Sequence, residues 1–297
     1  MKKNILLLAA LALLAASCGQ ELGNDVTASN ESEKAQVTVH LTGFTVTQED
    51  FPSTRAAQDV ADYDGVKAIT LAFYKADGTE VYKYEQLRED KTTYTTLGEF
   101  SLSLPMGTYT MVALAYYTSA GNPLVLTSPT VAEFTGRAFE TFATTQEVII
   151  SNTDAVDISA TLNRIIAQLK VVSTDGKTAD VTNVRMTFSA GGKDFNPTTG
   201  FAINNTGFAN TVGNSAKVGE TSISSSFFFL ATDEQTMDVT IETLDADGNT
   251  LFSKTVKDVS FKRNRVTKLT GAMYTNDALS GTFKLETAWL SDFEQSF

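Results

Sequence analysis

The chain has 297 residues, with 23 Lys and Arg against 35 Asp and Glu for a formal net charge of −12. That balance argues against nucleic acid or an anionic membrane surface as partner. A single cysteine excludes an intrachain disulfide framework and a thiolate metal site, so the fold must hold without covalent staples.

Residues 1–17 read as a targeting segment: Lys2 and Lys3, then an apolar run too short to span a bilayer, then Ala15-Ala16-Ser17 before Cys18. This resembles a bacterial lipoprotein signal, in which the cysteine is diacylated and becomes the new N-terminus. Ala15 stands where leucine is usual. Residues 18–35 carry no large apolar side chain after Val26 and read as a flexible tether.

Residues 37–46 form the first predicted strand. Val37, Val39 and Leu41 alternate with Thr38, His40 and Thr42, the period of a half-buried strand. At Gly43 the phase slips and Phe44 and Val46 take over the apolar face; a glycine is where a bulge is cheapest. A polar loop over residues 49–57 follows, with Pro52, Ser53, Thr54, a lone Arg55 and Ala56. Exposed loops of this composition are good protease sites. A strand joined to its fold by such a loop is removable.

The remainder, about 260 residues, is long for one domain and comfortable for two. Runs of Val, Ile, Thr, Tyr and Phe recur between turn signals, a pattern of all-β sandwiches. The expected division is an N-terminal domain over residues 36–153 and a C-terminal domain over residues 154–297. Residues 66–74 lead through Asp77-Gly78 into residues 79–84, a β-hairpin with a turn that favours positive backbone angles. Residues 240–244, Asp247-Gly248 and residues 250–256 repeat the plan, which suggests a duplicated unit. Residues 162–172 fit both helical and strand periods, and the β-branched Val171 and Val172 favour the strand over a short helix. At the other end, Phe283, Leu285, Thr287 and Trp289 alternate with polar neighbours within residues 283–297, after a polar lead. An apolar strand on a loose lead can pair with its own sheet or with the edge of another molecule.

Catalytic chemistry finds little to stand on. His40 is the only histidine and lies on the polar side of the first strand, with no nucleophile elbow, zincin motif or phosphate loop elsewhere. The carboxylate pairs Glu49-Asp50 and Glu89-Asp90 sit in polar loops. In the Asp245–Asn249 stretch, Gly248 comes too early for a calcium loop and a strand resumes at once, so it reads as a hairpin turn. Trp289 reads as core or interface rather than a sugar platform. Tyr116, Tyr117 and Phe227-Phe228-Phe229 read as sandwich filling. The expectation is a protein that is not an enzyme, with no catalytic residue, metal or cofactor.

Taken in order, several elements resemble the fimbrillins, subunits of type V pili. They are the signal ending at Cys18, the first strand, Ser53-Thr54-Arg55-Ala56, Leu104-Pro105-Met106-Gly107-Thr108-Tyr109, Leu162-Asn163-Arg164 and the closing residues 261–271, Phe-Lys-Arg-Asn-Arg-Val-Thr-Lys-Leu-Thr-Gly. The resemblance implies two tandem transthyretin-like β-sandwich domains. It implies an outer-membrane lipoprotein precursor, cut by an arginine-specific protease between Arg55 and Ala56. The strand carrying Val37, Val39, Leu41, Phe44 and Val46 would be lost, and a donor strand from another subunit, here residues 283–297, would fill the groove. The subunit would then sit in a cell-surface fimbrium that supports adhesion, with other pilin, anchor or tip subunits as partners. The alternatives are an uncut anchor subunit and a surface glycan-binding lipoprotein.

Overall fold

The structure is a computed structural model that describes residues 33–45, 59–119, 123–275 and 284–285. Among the described residues the chain is all-β, apart from one 3-10 turn at Val60–Asp62. The strands in order begin with β1 (Lys34–Thr45), β2 (Ala68–Tyr74), β3 (Glu80–Leu87), β4 (Glu99–Pro105) and β5 (Gly107–Tyr116). Next come β6 (Leu124–Ser128), β7 (Val131–Phe134), β8 (Thr141–Ile150), β9 (Val156–Arg164) and β10 (Ala167–Ser173). The second half holds β11 (Asn183–Phe188), β12 (Asp194–Asn196), β13 (Phe201–Ala202), β14 (Phe208–Gly213) and β15 (Ile223–Phe228). The chain closes with β16 (Glu234–Leu244), β17 (Thr250–Lys262), β18 (Val266–Gly271) and β19 (Lys284–Leu285).

A seven-stranded sheet runs β3-β2-β5-β8-β9-β1-β4. Between β8 and β9 only Phe142 faces Arg164 and Ala143 faces Asn163, so the sheet folds over at this corner. Its two halves enclose a core that includes Val37, Val39, Leu71, Phe73, Leu102, Leu104, Met111 and Ile158. This is the first sandwich.

The second sandwich packs the sheet β15-β10-β18-β19 against the sheet β14-β11-β16-β17. Its core holds Leu169, Val171, Met186, Phe188, Phe228, Val239, Ile241 and Phe261. The segment with two competing periods resolves as strand: β9 ends at Arg164 and β10 starts at Ala167.

The two sandwiches share one wiring. β1 lies antiparallel to β4 and parallel to β9, while β10 lies antiparallel to β15 and parallel to β18. β2 pairs with β3 and β5, and β5 with β8; β11 likewise pairs with β14 and β16, and β16 with β17. The duplication is therefore real at the level of topology. The two Asp-Gly hairpins that suggested it are not equivalent, however. One joins the second and third strands of its unit, β2 and β3, and the other joins the fifth and sixth, β16 and β17. Asp-Gly is a demand of tight hairpins and marks no particular place in a repeat.

The sandwich boundary also differs from the expected division at residues 153 and 154. β9 still pairs with β1 in the first sandwich, and the crossing to β10 is Ile165-Ile166. The polar run at 151–155 is a turn between β8 and β9. The crossing was hidden in the sequence because it is apolar: Ile165 and Ile166 are buried in a third core, with Ala72, Leu114, Tyr116, Phe195 and Phe229. That core is roofed by a four-stranded sheet, β13-β12-β7-β6, with strands from both halves of the chain. Phe228 and Phe229 thus serve different cores, and Tyr117 is exposed where the sequence suggested filling.

Candidate functional site: the first strand and its slot

β1 is an interior strand. Residues 34–40 face β4, from Lys34 opposite Pro105 to His40 opposite Glu99, and residues 37–45 face β9. The predicted phase slip is present, since the register against β9 shifts between Thr42 and Phe44, around Gly43. Ala35, Val37 and Val39 are fully buried and Leu41 nearly so. Each of the three larger side chains contributes about 1.5–3 kcal/mol by leaving water. On the other side of the strand Gln36 Nε2 donates to Ser103 Oγ at 2.7 Å, and His40 Nδ1 lies 3.7 Å from Glu99 Oε1. The backbone of β1 therefore satisfies two neighbours at once. Without it, β4 and β9 would each present unpaired donors and acceptors beside an apolar floor.

The chain re-enters next to the place where it left. Leu41 N donates to Gly98 O at 3.0 Å, just past the end of the β4 ladder. Gly98 has φ of +95°, a conformation that side chains resist, and a Cβ there would meet Leu41 O and Val60 Cγ1 at 3.4 Å. Val60 in the 3-10 turn belongs to the same core as Leu41 and Leu97. Arg88 holds this turn. Its guanidinium donates to the carbonyls of Val60 (2.9 Å), Ala61 (2.7 Å), Tyr63 (2.8 Å) and Val66 (2.6 Å). Gln86, itself buried, donates to Glu99 O at 2.7 Å and accepts from Gly98 N at 2.8 Å, which fixes the start of β4.

A polar cluster braces the far side of the re-entry segment. Tyr63 Oη donates to Glu140 at 2.9 Å, and Arg164 Nη2 lies 2.6 Å from Glu140 Oε1. Arg164 Nη1 donates to Asn264 Oδ1 at 3.1 Å, which ties the end of β9 to the β17–β18 turn. Burial, with the Glu140 charge second, pushes the Tyr63 phenol up to about 12, so it stays protonated at neutral pH. A cleft of about 460 Å3 beside this cluster is lined by residues such as Thr145, Arg164, Thr199 and Arg263. Arg263 is engaged with Asp233 at 2.6 Å and with Thr199 O at 2.9 Å. Among the described residues no group of three or more His, Cys, Asp or Glu could hold a metal ion.

The C-terminal end is anchored in a complementary way. The Asp175 carboxylate accepts from the backbone N–H of Met273 (2.8 Å), Tyr274 (2.8 Å) and Thr275 (2.9 Å). Burial works to raise the Asp175 pKa, but the four hydrogen bonds outweigh it and hold the carboxyl below its usual range. Beyond this point β19 adds to β18, Leu285 opposite Leu269 and Lys284 opposite Thr270. The Asp245 carboxylate accepts from Asp247 N and Asn249 N, which confirms this stretch as a hairpin turn.

Of the residues singled out in the sequence, Val37, Val39 and Leu41 line the slot, and the backbones of Phe44 and Leu285 lie in β1 and β19. Cys18, Val46, Arg55, Ala56, Phe283, Thr287 and Trp289 lie outside the described residues. Sequence reasoning missed Arg88, Gln86 and Asp175. Each acts on backbone groups far along the chain, and no local pattern records that.

The class of protein defined by this arrangement is a tandem β-sandwich whose first strand fills a slot between two others. The chain belongs to a family of unknown function, DUF6562, whose model matches residues 30–293. No curated protein matches it. Among solved structures it is similar to an adhesin candidate from Bacteroides ovatus, at 12% identity and TM-score 0.52, covering 88% of this chain and 96% of that one. It is also similar to the fimbrial anchor protein Mfa2 from Porphyromonas gingivalis, at 12% identity and TM-score 0.48, covering 85% and 95%. A fimbrial assembly protein from Parabacteroides distasonis matches at 13% identity and TM-score 0.41, covering 86% and 99%. At these identities, the first match shows a shared fold.

Proposed function

We propose that this protein is a structural, non-enzymatic subunit of a type V fimbria that assembles by exchange of its first strand. The observation that carries this reading is the placement of β1. It is buried on one face, hydrogen-bonded on both edges, and joined to the next described element only through residues 46–58, which contain Arg55. Cutting between Arg55 and Ala56 would free β1 together with the lipid on Cys18. It would leave a slot whose affinity comes from main-chain hydrogen bonds and whose register comes from alternate side chains. A strand from another subunit would fill it, with residues 283–297 as the donor. Such head-to-tail contacts propagate into a filament when they do not close. The shared fold with an adhesin candidate and the resemblance to fimbrillins support the same reading, as does the lipoprotein-like signal, which fits an outer-membrane lipoprotein precursor.

The test is limited digestion of the lipid-free precursor with an arginine-specific protease, followed by mass spectrometry and sizing. One early cut after Arg55 is expected, with the rest folded and forming ladders of oligomers. The ladders vanish in Arg55→Ala and in a chain truncated before Phe283. Resistance at Arg55 with cutting elsewhere, or a cut product that stays monomeric, overturns the polymerising reading in favour of an uncut anchor. Retention on insoluble glycans would favour the glycan-binding lipoprotein.

A further inference from the structure

We propose that the Val60–Asp62 turn, clamped by Arg88, is the register stop of the β1 slot: past the end of β4 it forms the wall that decides where a strand lodged there must sit. This deepens the strand-exchange reading and rests on it for its role in assembly, but the stop itself acts on β1 in the intact chain.

The slot has two unlike sides. β9 flanks β1 as far as Thr45, whereas β4 runs out at Glu99, opposite His40. Beyond that point the β4 side is completed by Gly98, whose carbonyl takes the Leu41 N–H, and by Val60. The Leu41 side chain shares its core with Val60 and Leu97. The wall on this side is thus a single short turn, in which Asp62 N donates to Asp59 O and, just after it, Val66 N to Tyr63 O. Arg88 holds it from outside: one planar guanidinium donates four charge-assisted hydrogen bonds, two to the turn itself (Val60 and Ala61) and two to the carbonyls after it (Tyr63 and Val66), a geometry that an ammonium cannot copy.

A stop is needed because the ladders cannot set register alone. A slip of one residue would turn the apolar face to water and is strongly penalised, but a slip of two keeps the face and remakes most backbone bonds. Ala35, Val37, Val39 and Leu41 form a graded series, small at one end and large at the other. A rigid pocket at the Leu41 end is what makes a two-residue slip costly.

The experiment uses the full chain with Cys18→Ser and cysteine pairs across β1 and β4. Thr38 faces Ser101 in the native register, and after a two-residue slip it would face Glu99 or Ser103. Disulfide yields are compared for Thr38→Cys with Ser101→Cys, with Glu99→Cys and with Ser103→Cys. Each pair is placed in the wild-type background, in Arg88→Lys, and in Asp175→Asn, which removes comparable charge-assisted bonds far from the slot. Native pairing alone is expected in wild type and in Asp175→Asn. In Arg88→Lys the slipped pairs should rise about tenfold, the effect of losing one charge-assisted bond. Hydrogen exchange of the Asp62 and Val66 amides should quicken in parallel. A single native register in Arg88→Lys overturns the proposal, and so does equal slippage in Asp175→Asn. Neither result touches the digestion test at Arg55, so failure of the stop and failure of strand exchange are told apart.

Discussion

The two sandwiches use one wiring diagram and differ in what surrounds it. β1 and β10 hold the same position, each between an antiparallel and a parallel neighbour. β10 is tied at both ends, to β9 through the buried Ile165-Ile166 and onward to β11. β1 is flanked on both sides by residues outside the described ones, 1–32 and 46–58. The same contrast holds for β2 and β11, which correspond. Every residue of β2 is buried, whereas β11 alternates between buried and half-exposed positions. β2 has a core on each face because the β13-β12-β7-β6 sheet covers its outer side; β11 faces water on that side. Equivalent topology therefore does not give equivalent strands. What a strand can do depends on how its ends are tied and on whether its second face is covered.

The sharpest way to break this comparison is to place a charge in each first strand. Val171→Asp, at a fully buried position of β10, buries an unpaired carboxylate and should cost on the order of 5 kcal/mol, unfolding the second sandwich. Val39→Asp should instead expel β1 while the second sandwich stays folded. Hydrogen exchange of β16 amides separates the outcomes, and loss of β16 protection in Val39→Asp would contradict independent first strands.

The next effect concerns the cover over β2. Phe195 stacks on Phe229 with centroids 4.1 Å apart, beneath the roof sheet. Phe195→Ala should cost about 3–5 kcal/mol and speed exchange in β2 more than in β11. A denaturation midpoint with unchanged β2 exchange would refute the cover as the source of the difference.

Asp175 sharpens the comparison of the two clamped ends. Its folded-state pKa is depressed, so its contribution is present above the unfolded value, near pH 4, and is lost as pH falls through the folded value. Asp175→Asn should remove about 1–2 kcal/mol at neutral pH. It should also flatten the acid limb of the stability profile below about pH 4. An acid limb identical to wild type would count against it.

The smallest effect lies on the open face of the second sandwich. Arg185 and Glu242 pair across β11 and β16 with two hydrogen bonds of 2.6 and 2.8 Å. Arg185→Ala should cost only about 0.5–1 kcal/mol because the pair borders solvent, and chemical denaturation would read it. A cost as large as that of Phe195→Ala would show this face to be covered after all.

The sequence by itself determined the local grammar of this protein. Alternation at Val37, Val39 and Leu41 announced a half-buried strand, Gly43 announced the bulge, and Asp-Gly announced the hairpins. Side-chain period and turn angles are properties of a few neighbouring residues, so these readings needed no partner. Only the tertiary structure decided which strands meet. It placed β1 between β4 and β9, moved the sandwich crossing to Ile165-Ile166, built one sheet from β7 and β12, and brought Arg88 to four carbonyls and Asp175 to three amides. Each strand edge offers the same repeating donors and acceptors, and so its own sequence cannot name the edge it will choose. That choice is made by burial summed over the whole chain.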